Sequence, residues 1–179
     1  MFYSFDGRVP SVGNDTYVSG TAQVIGDVRI GSNCYIGHGA ILRGDYGTID
    51  VGNEAVIEEG VVIHAPPDEY CTISNRVVVG HGAIVHARSI GDSAMIGMGA
   101  ILSIRSEIGS QSIVAEGAVV KQGQQVPASV VMAGNPSRKV RETTKDDMDR
   151  HHKSIELYTN LARRYLQVGM KGANPTADR

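Results

Sequence analysis

Three histidines, His64, His81 and His86, fall within residues 63–87, a run otherwise made of apolar residues, glycines and small polar residues. Imidazole is the commonest metal-binding side chain, and three of them leave the fourth position of a tetrahedral ion open to water. A zinc ion held this way lowers the pKa of its water to about 7 and so generates hydroxide at neutral pH. That chemistry requires the three rings to converge, so the elements that carry them must be read next.

The chain has 179 residues with 22 glycines, no tryptophan and few aromatics, a profile suited to one repetitive β-domain. A formal charge of -2 with both signs interspersed offers no electrostatic footprint for nucleic acid or an anionic membrane, and neither is expected as a partner. The two cysteines, Cys34 and Cys71, are far apart and without a pairing motif, which fits a reducing compartment. No apolar run reaches the length of a membrane span, and residues 1–10 lack a basic and an apolar targeting region. The expected location is cytoplasmic.

Aliphatic residues recur every sixth position. Val12, Val18, Val24, Ile30, Ile36 and Leu42 form one unbroken series, and Ile90, Ile96, Leu102, Ile108, Val114, Val120 and Val126 form another. Val51, Ile57, Ile63 and then Ile73, Val79, Val85 keep the same phase between them. A period of six fits neither a helix face nor an alternating strand. It predicts a hexapeptide β-helix, in which each hexad is a short strand plus a turn and three hexads close one triangular coil. The aliphatic residue points inward, and glycines such as Gly31, Gly52, Gly91 and Gly109 follow it and suit a tight backbone path.

Breaks in phase predict outward loops. Three extra residues lie around 45–48 and four around 66–70, while the step from Val85 to Ile90 is one short. Past Val126 the repeat decays, and Thr144 followed by Asp147 resembles a capping box. Met148, Ile155, Tyr158, Ala162 and Tyr165 then recur at helical spacing. One amphipathic helix over 144–168 is expected to cover a face of the β-helix. The predicted organisation is an N-terminal cap strand at 1–11, the β-helix at 12–136, a linker and helix at 137–168, and a disordered tail at 169–179.

Counting hexads in threes puts Leu42, Ile63 and Val85 on one face of successive coils, so Arg43, His64 and His86 form a column. Adjacent strands lie about 4.8 Å apart, close enough for two imidazoles to share an ion. His81 falls around a corner, in a column with His38 and Glu59. A neighbouring chain in a threefold assembly could supply it, which predicts a homotrimer with its site between subunits.

The segments L-R-G-D (42–45), G-V-V-I-H (60–64), V-G-H-G-A-I-V-H (79–86), I-G-M-G-A (96–100) and G-N-P (134–136) resemble the γ-class carbonic anhydrases and their carbonic-anhydrase-like relatives. The resemblance spans about residues 3–166. It implies a left-handed parallel β-helix, a handedness that periodicity does not provide. It also implies Zn2+ as cofactor, with Fe2+ or Co2+ as substitutes, held by His64 and His86 of one subunit and His81 of the next. Arg43 and Asp45 would belong to the ion-pair network beside the site, and Tyr158 would match a C-terminal helix tyrosine that approaches the metal. Glu58-Glu59 stands where the family commonly has glutamine-aspartate, and the acidic loop is reduced to A-P-P-D-E-Y. Glu58 could serve as a base, and Asp68 or Glu69 as a proton shuttle. The function expected is reversible hydration of CO2 to bicarbonate by zinc-bound hydroxide. The alternatives are a hexapeptide acyltransferase or thioesterase acting on acyl-CoA, and a metal-binding scaffold subunit with little turnover.

Overall fold

The computed structural model describes residues 1–172, so most of the tail expected at 169–179 lies outside the described residues. The chain forms a left-handed parallel β-helix closed by one C-terminal helix. Most strands are two residues long, the first residue facing out and the second in, as Ile84 and Val85 do. Inward residues from Val24 to Val126 stack as one continuous core, with Ile36, Leu42, Ile57, Ile63, Val79, Val85, Ile96 and Leu102 completely buried. Burying each such side chain contributes about 1.5–3 kcal/mol. Val12 and Val18, the first two members of the series, remain partly open at the end of the stack, where no coil follows.

The third corner passes through the left-handed backbone region at Arg105 and Gly123, and the other two do so coil after coil. At one, Asn33, Glu54, Arg76, Ser93 and Gln111 have φ between 55° and 58°. The glycines that follow the inward residues lie elsewhere and answer a different constraint. A Cβ at Gly109 would stand 2.4 Å from the backbone nitrogen of Ala128 in the next coil, so it is close coil-to-coil approach that excludes a side chain there.

The three faces differ in what they present outward. Arg29, Asp50, Thr72, Ser89, Glu107 and Gln125 make the first face polar. On the second, Tyr17, Tyr35, Val56, Val78 and Met95 make an apolar stripe. The third presents Ile41, Val62, Ile84, Ile101 and Val119 in register, with Ile84 43% and Ile101 38% exposed. The second face is covered and the third is bare.

Helix α1 (Lys145–Val168) provides the cover. Thr144 accepts from the Asp147 N–H, and the Asp147 carboxylate accepts from Thr144, giving both arms of the capping box. Ile155 and Ala162 pack on Tyr35, Val56 and Val78, joined by Tyr158, Leu161 and Tyr165. The buried seam differs from the expected one by including Asp147, His151 and Thr159. Each finds a partner that apolar periodicity does not reveal. Asp147 pairs with Arg141 and Arg150, His151 Nε2 lies 2.8 Å from the Arg76 carbonyl, and Thr159 donates to the Ile155 carbonyl.

The outward loop expected at 45–48 does not form. The strand Ile41–Val51 instead continues through the corner and joins the first and third faces into one 12-stranded sheet, taking up the insertion as a bulge of its own where the pairing with Gln23–Ile30 jumps from Gly26–Gly44 to Val28–Ile49. The second insertion does turn outward, with Asp68 at φ 58°. The expected linker contains a strand, Arg138–Glu142, antiparallel to Val130–Ala133. No described helix is long and apolar enough to cross a membrane.

Candidate metal centre

His64 and His86 project from the bare third face. The register Leu42 to Ile63 to Val85 stacks Arg43 under His64 and brings the His64 and His86 ring centroids to 4.9 Å, as the column count predicts. Both ring nitrogens of His64 are buried and have no hydrogen-bond partner. A buried polar group left unpaired costs about 1–3 kcal/mol, and within the described residues this ring is left short of a partner.

Burial lowers the pKa of His64, with the nearby Arg43 charge and then His86 adding to the effect. Burial followed by Arg43 does the same for His86. Both rings are thereby kept neutral, the form that ligates metal. Arg43 is held 2.7 Å from Asp45, whose other oxygen lies 3.6 Å from His64 Nε2. Burial opposes the Asp45 charge, but the Arg43 hydrogen bond and charge prevail and hold its pKa below the usual value.

His81 stands at the corner, its side chain 44% exposed, among groups from the second face and α1. Its Nε2 lies 3.0 Å from Glu58, its Nδ1 lies 2.8 Å from Glu59, and the Tyr158 hydroxyl is 3.5 Å from Nε2. Glu58 occupies a place that Gly37, Gly80 and Gly97 fill in neighbouring coils, is 6% exposed, and accepts from the His81 backbone N–H at 3.0 Å. Burial and then the Glu58 charge push the Tyr158 phenol up to about 12, so it stays protonated and able to donate.

The sites foreseen in the sequence thus separate into two groups. Arg43, Asp45, His64 and His86 lie together on the third face, and Glu58, His81 and Tyr158 lie together at the corner. Among the described residues no three His, Cys, Asp or Glu side chains of one chain converge as a metal would require. Glu69 is paired with Arg105 at 2.5 Å and so is tied down. His38 bonds Ser19 at 2.6 Å, outside both groups. Sequence reasoning gave no role to Tyr35 or Glu59, which are linked at 2.6 Å. The outward aromatic pair Tyr17 and Tyr35, one coil apart, is the signal that marks this wall.

A family model described as bacterial transferase hexapeptide (six repeats) matches residues 10–44. The chain is 33% identical to the carnitine operon protein CaiE of Salmonella agona over 97% of its own length and 87% of that protein. It is 34% identical to the mitochondrial gamma carbonic anhydrase 2 of Arabidopsis thaliana, covering 92% of this chain and 61% of the plant protein. Among solved structures, a hexapeptide transferase family protein from Anaplasma phagocytophilum superposes with a TM-score of 0.87 at 33% identity, over 92% of this chain and 98% of that one. With its stacked hexad core, its covering helix and these relatives, the chain belongs to the carbonic-anhydrase-like family of hexapeptide-repeat proteins.

Proposed function

We propose that the chain works as a homotrimer that hydrates CO2 reversibly to bicarbonate, at a divalent metal held by His64 and His86 of one subunit and His81 of its neighbour. The observation that carries this reading is the orphaned His64 ring, neutral, with both nitrogens buried and His86 beside it, on an apolar face that none of the described residues covers. The donor set suits zinc, which takes imidazole nitrogen readily and keeps a position open when only three protein ligands are present. The ion would supply Lewis-acid activation of water. The similarity to plant gamma carbonic anhydrases supports the choice of substrate.

The chain's own groups have separable tasks. Glu58, close to His81 Nε2 and mostly shielded from water, is the base that takes up the proton released as water attacks CO2. Arg43, anchored by Asp45, lends a fixed positive charge for the bicarbonate product. Tyr158 stays protonated and offers a donor from the helix side. Ile84 and Ile101 exclude water around the histidines once a neighbouring chain covers them.

A second reading, acyl transfer from an acyl-CoA, draws support from the similarity to the Anaplasma hexapeptide transferase family protein. It needs a histidine free of metal. Stopped-flow CO2 hydration by the zinc-loaded protein, with and without chelator and in His64→Ala, separates the two. The proposal expects turnover that disappears with chelator and in the variant. A zinc-loaded protein no faster than buffer, together with chelator-resistant turnover of acetyl-CoA, would replace it with the second reading.

A further inference from the structure

We propose that Tyr35 and Glu59 act together as positioning residues for His81, fixing its ring so that Nε2 is presented to the histidines of the neighbouring subunit. This inference rests on the metal reading above and assigns a task to two residues that reading leaves unused.

The three side chains come from successive coils, since the strands Tyr35–Ile36, Val56–Ile57 and Val78–Val79 pair in order. Glu59 bridges them. One of its oxygens accepts the Tyr35 hydroxyl proton at 2.6 Å, and the other lies 2.8 Å from His81 Nδ1. Tyr35 is 1% exposed, with the Tyr17 ring stacked at 5.6 Å and the Tyr158 ring at 5.1 Å. It is therefore an immobile donor, and a carboxylate tied to it has little freedom to turn.

His81 needs that support. Its side chain is 44% exposed, so burial alone does not fix its ring. A ligating histidine whose second nitrogen donates to a carboxylate is fixed in both tautomer and orientation, and loss of such a partner typically lowers metal affinity about 10- to 100-fold. With Nδ1 engaged by Glu59, the nitrogen left to bind is Nε2, now facing Glu58 and Tyr158. Glu58 is the group Nε2 must exchange for an ion. Its contact to the His81 backbone N–H keeps it beside the site when that happens.

The test measures Co2+ affinity by competition with a chromophoric chelator, and the visible cobalt spectrum, for wild-type protein, Tyr35→Phe, Glu59→Ala and Glu59→Asp. Trimer mass and melting temperature are followed in parallel. Glu59→Ala is expected to bind about 10- to 100-fold more weakly with an altered cobalt spectrum, at unchanged mass and with melting lowered modestly by the Tyr35 hydroxyl left without its acceptor. Tyr35→Phe should fall between it and wild type, and Glu59→Asp should recover part of the loss. Equal affinity and identical spectra in Glu59→Ala and wild type would overturn the inference. Wild-type protein that fails to bind Co2+ would defeat the metal reading instead. A crystal structure of metal-free Glu59→Ala then decides the positioning role separately. A His81 ring turned from its place supports that role, and an unmoved ring overturns it.

Discussion

Replacing Ile84 and Ile101 together with lysine should convert the proposed trimer to monomers without unfolding the coil. Both residues face outward from the third face, while their neighbours Val85 and Leu102 fill the core and are completely buried. Burying a whole isoleucine side chain contributes about 1.5–3 kcal/mol, so covering the 43% and 38% still exposed contributes roughly 1–2.5 kcal/mol per chain. Losing that alone weakens each contact roughly 5- to 60-fold, and two ammonium groups that must stay hydrated hold the faces apart. Sedimentation equilibrium reads the mass, and circular dichroism with melting reads the fold. Wild type is expected at the mass of three chains and the double variant at one, with like spectra. A double variant that keeps the wild-type mass, or a wild type found as a monomer, would refute the assignment of this face to a neighbouring chain.

Two further predictions concern the frame of the site. Gly109→Ala should lower stability by about 1–3 kcal/mol in denaturant unfolding, because its methyl meets backbone of the next coil at 2.4 Å, whereas Gly20→Ala, with open space around it, should change little. Asp147 is held far below the usual carboxylate range, first by the Arg141 hydrogen bond and then by the Thr144 cap. Its folded pKa therefore lies below the unfolded one, so its contribution is complete above the ordinary value of 3.8 and fades as pH falls below that. Acid unfolding of Asp147→Asn should accordingly show a shallower pH dependence than wild type, and equal slopes would count against the linkage.

Much of this architecture was legible because a coil of fixed period turns linear spacing into vertical neighbours. Ile63 and Val85 needed only counting to place His64 over Arg43 and under His86. The missing part is physical in origin. Hexad phase locates the insertion at 45–48 but does not tell whether it leaves the sheet as a loop or stays within a strand as a bulge, as it does between Gly44 and Ile49 of Ile41–Val51. Apolar periodicity also cannot register a polar seam such as Asp147, His151 and Thr159, whose burial depends on polar partners, local for Asp147 and Thr159 and far along the chain for His151. Counting put Glu59 and His81 in one column, but the link from Glu59 to Tyr35 eluded it, since that link turns on side-chain direction at a corner.

The most direct test of the account is the anomalous-difference map of a crystal grown with zinc or cobalt. It should show one strong peak per chain, ligated by His64 and His86 of one subunit and His81 of the next. A peak held within a single chain, or metal-replete crystals with no peak among these three rings, would contradict it.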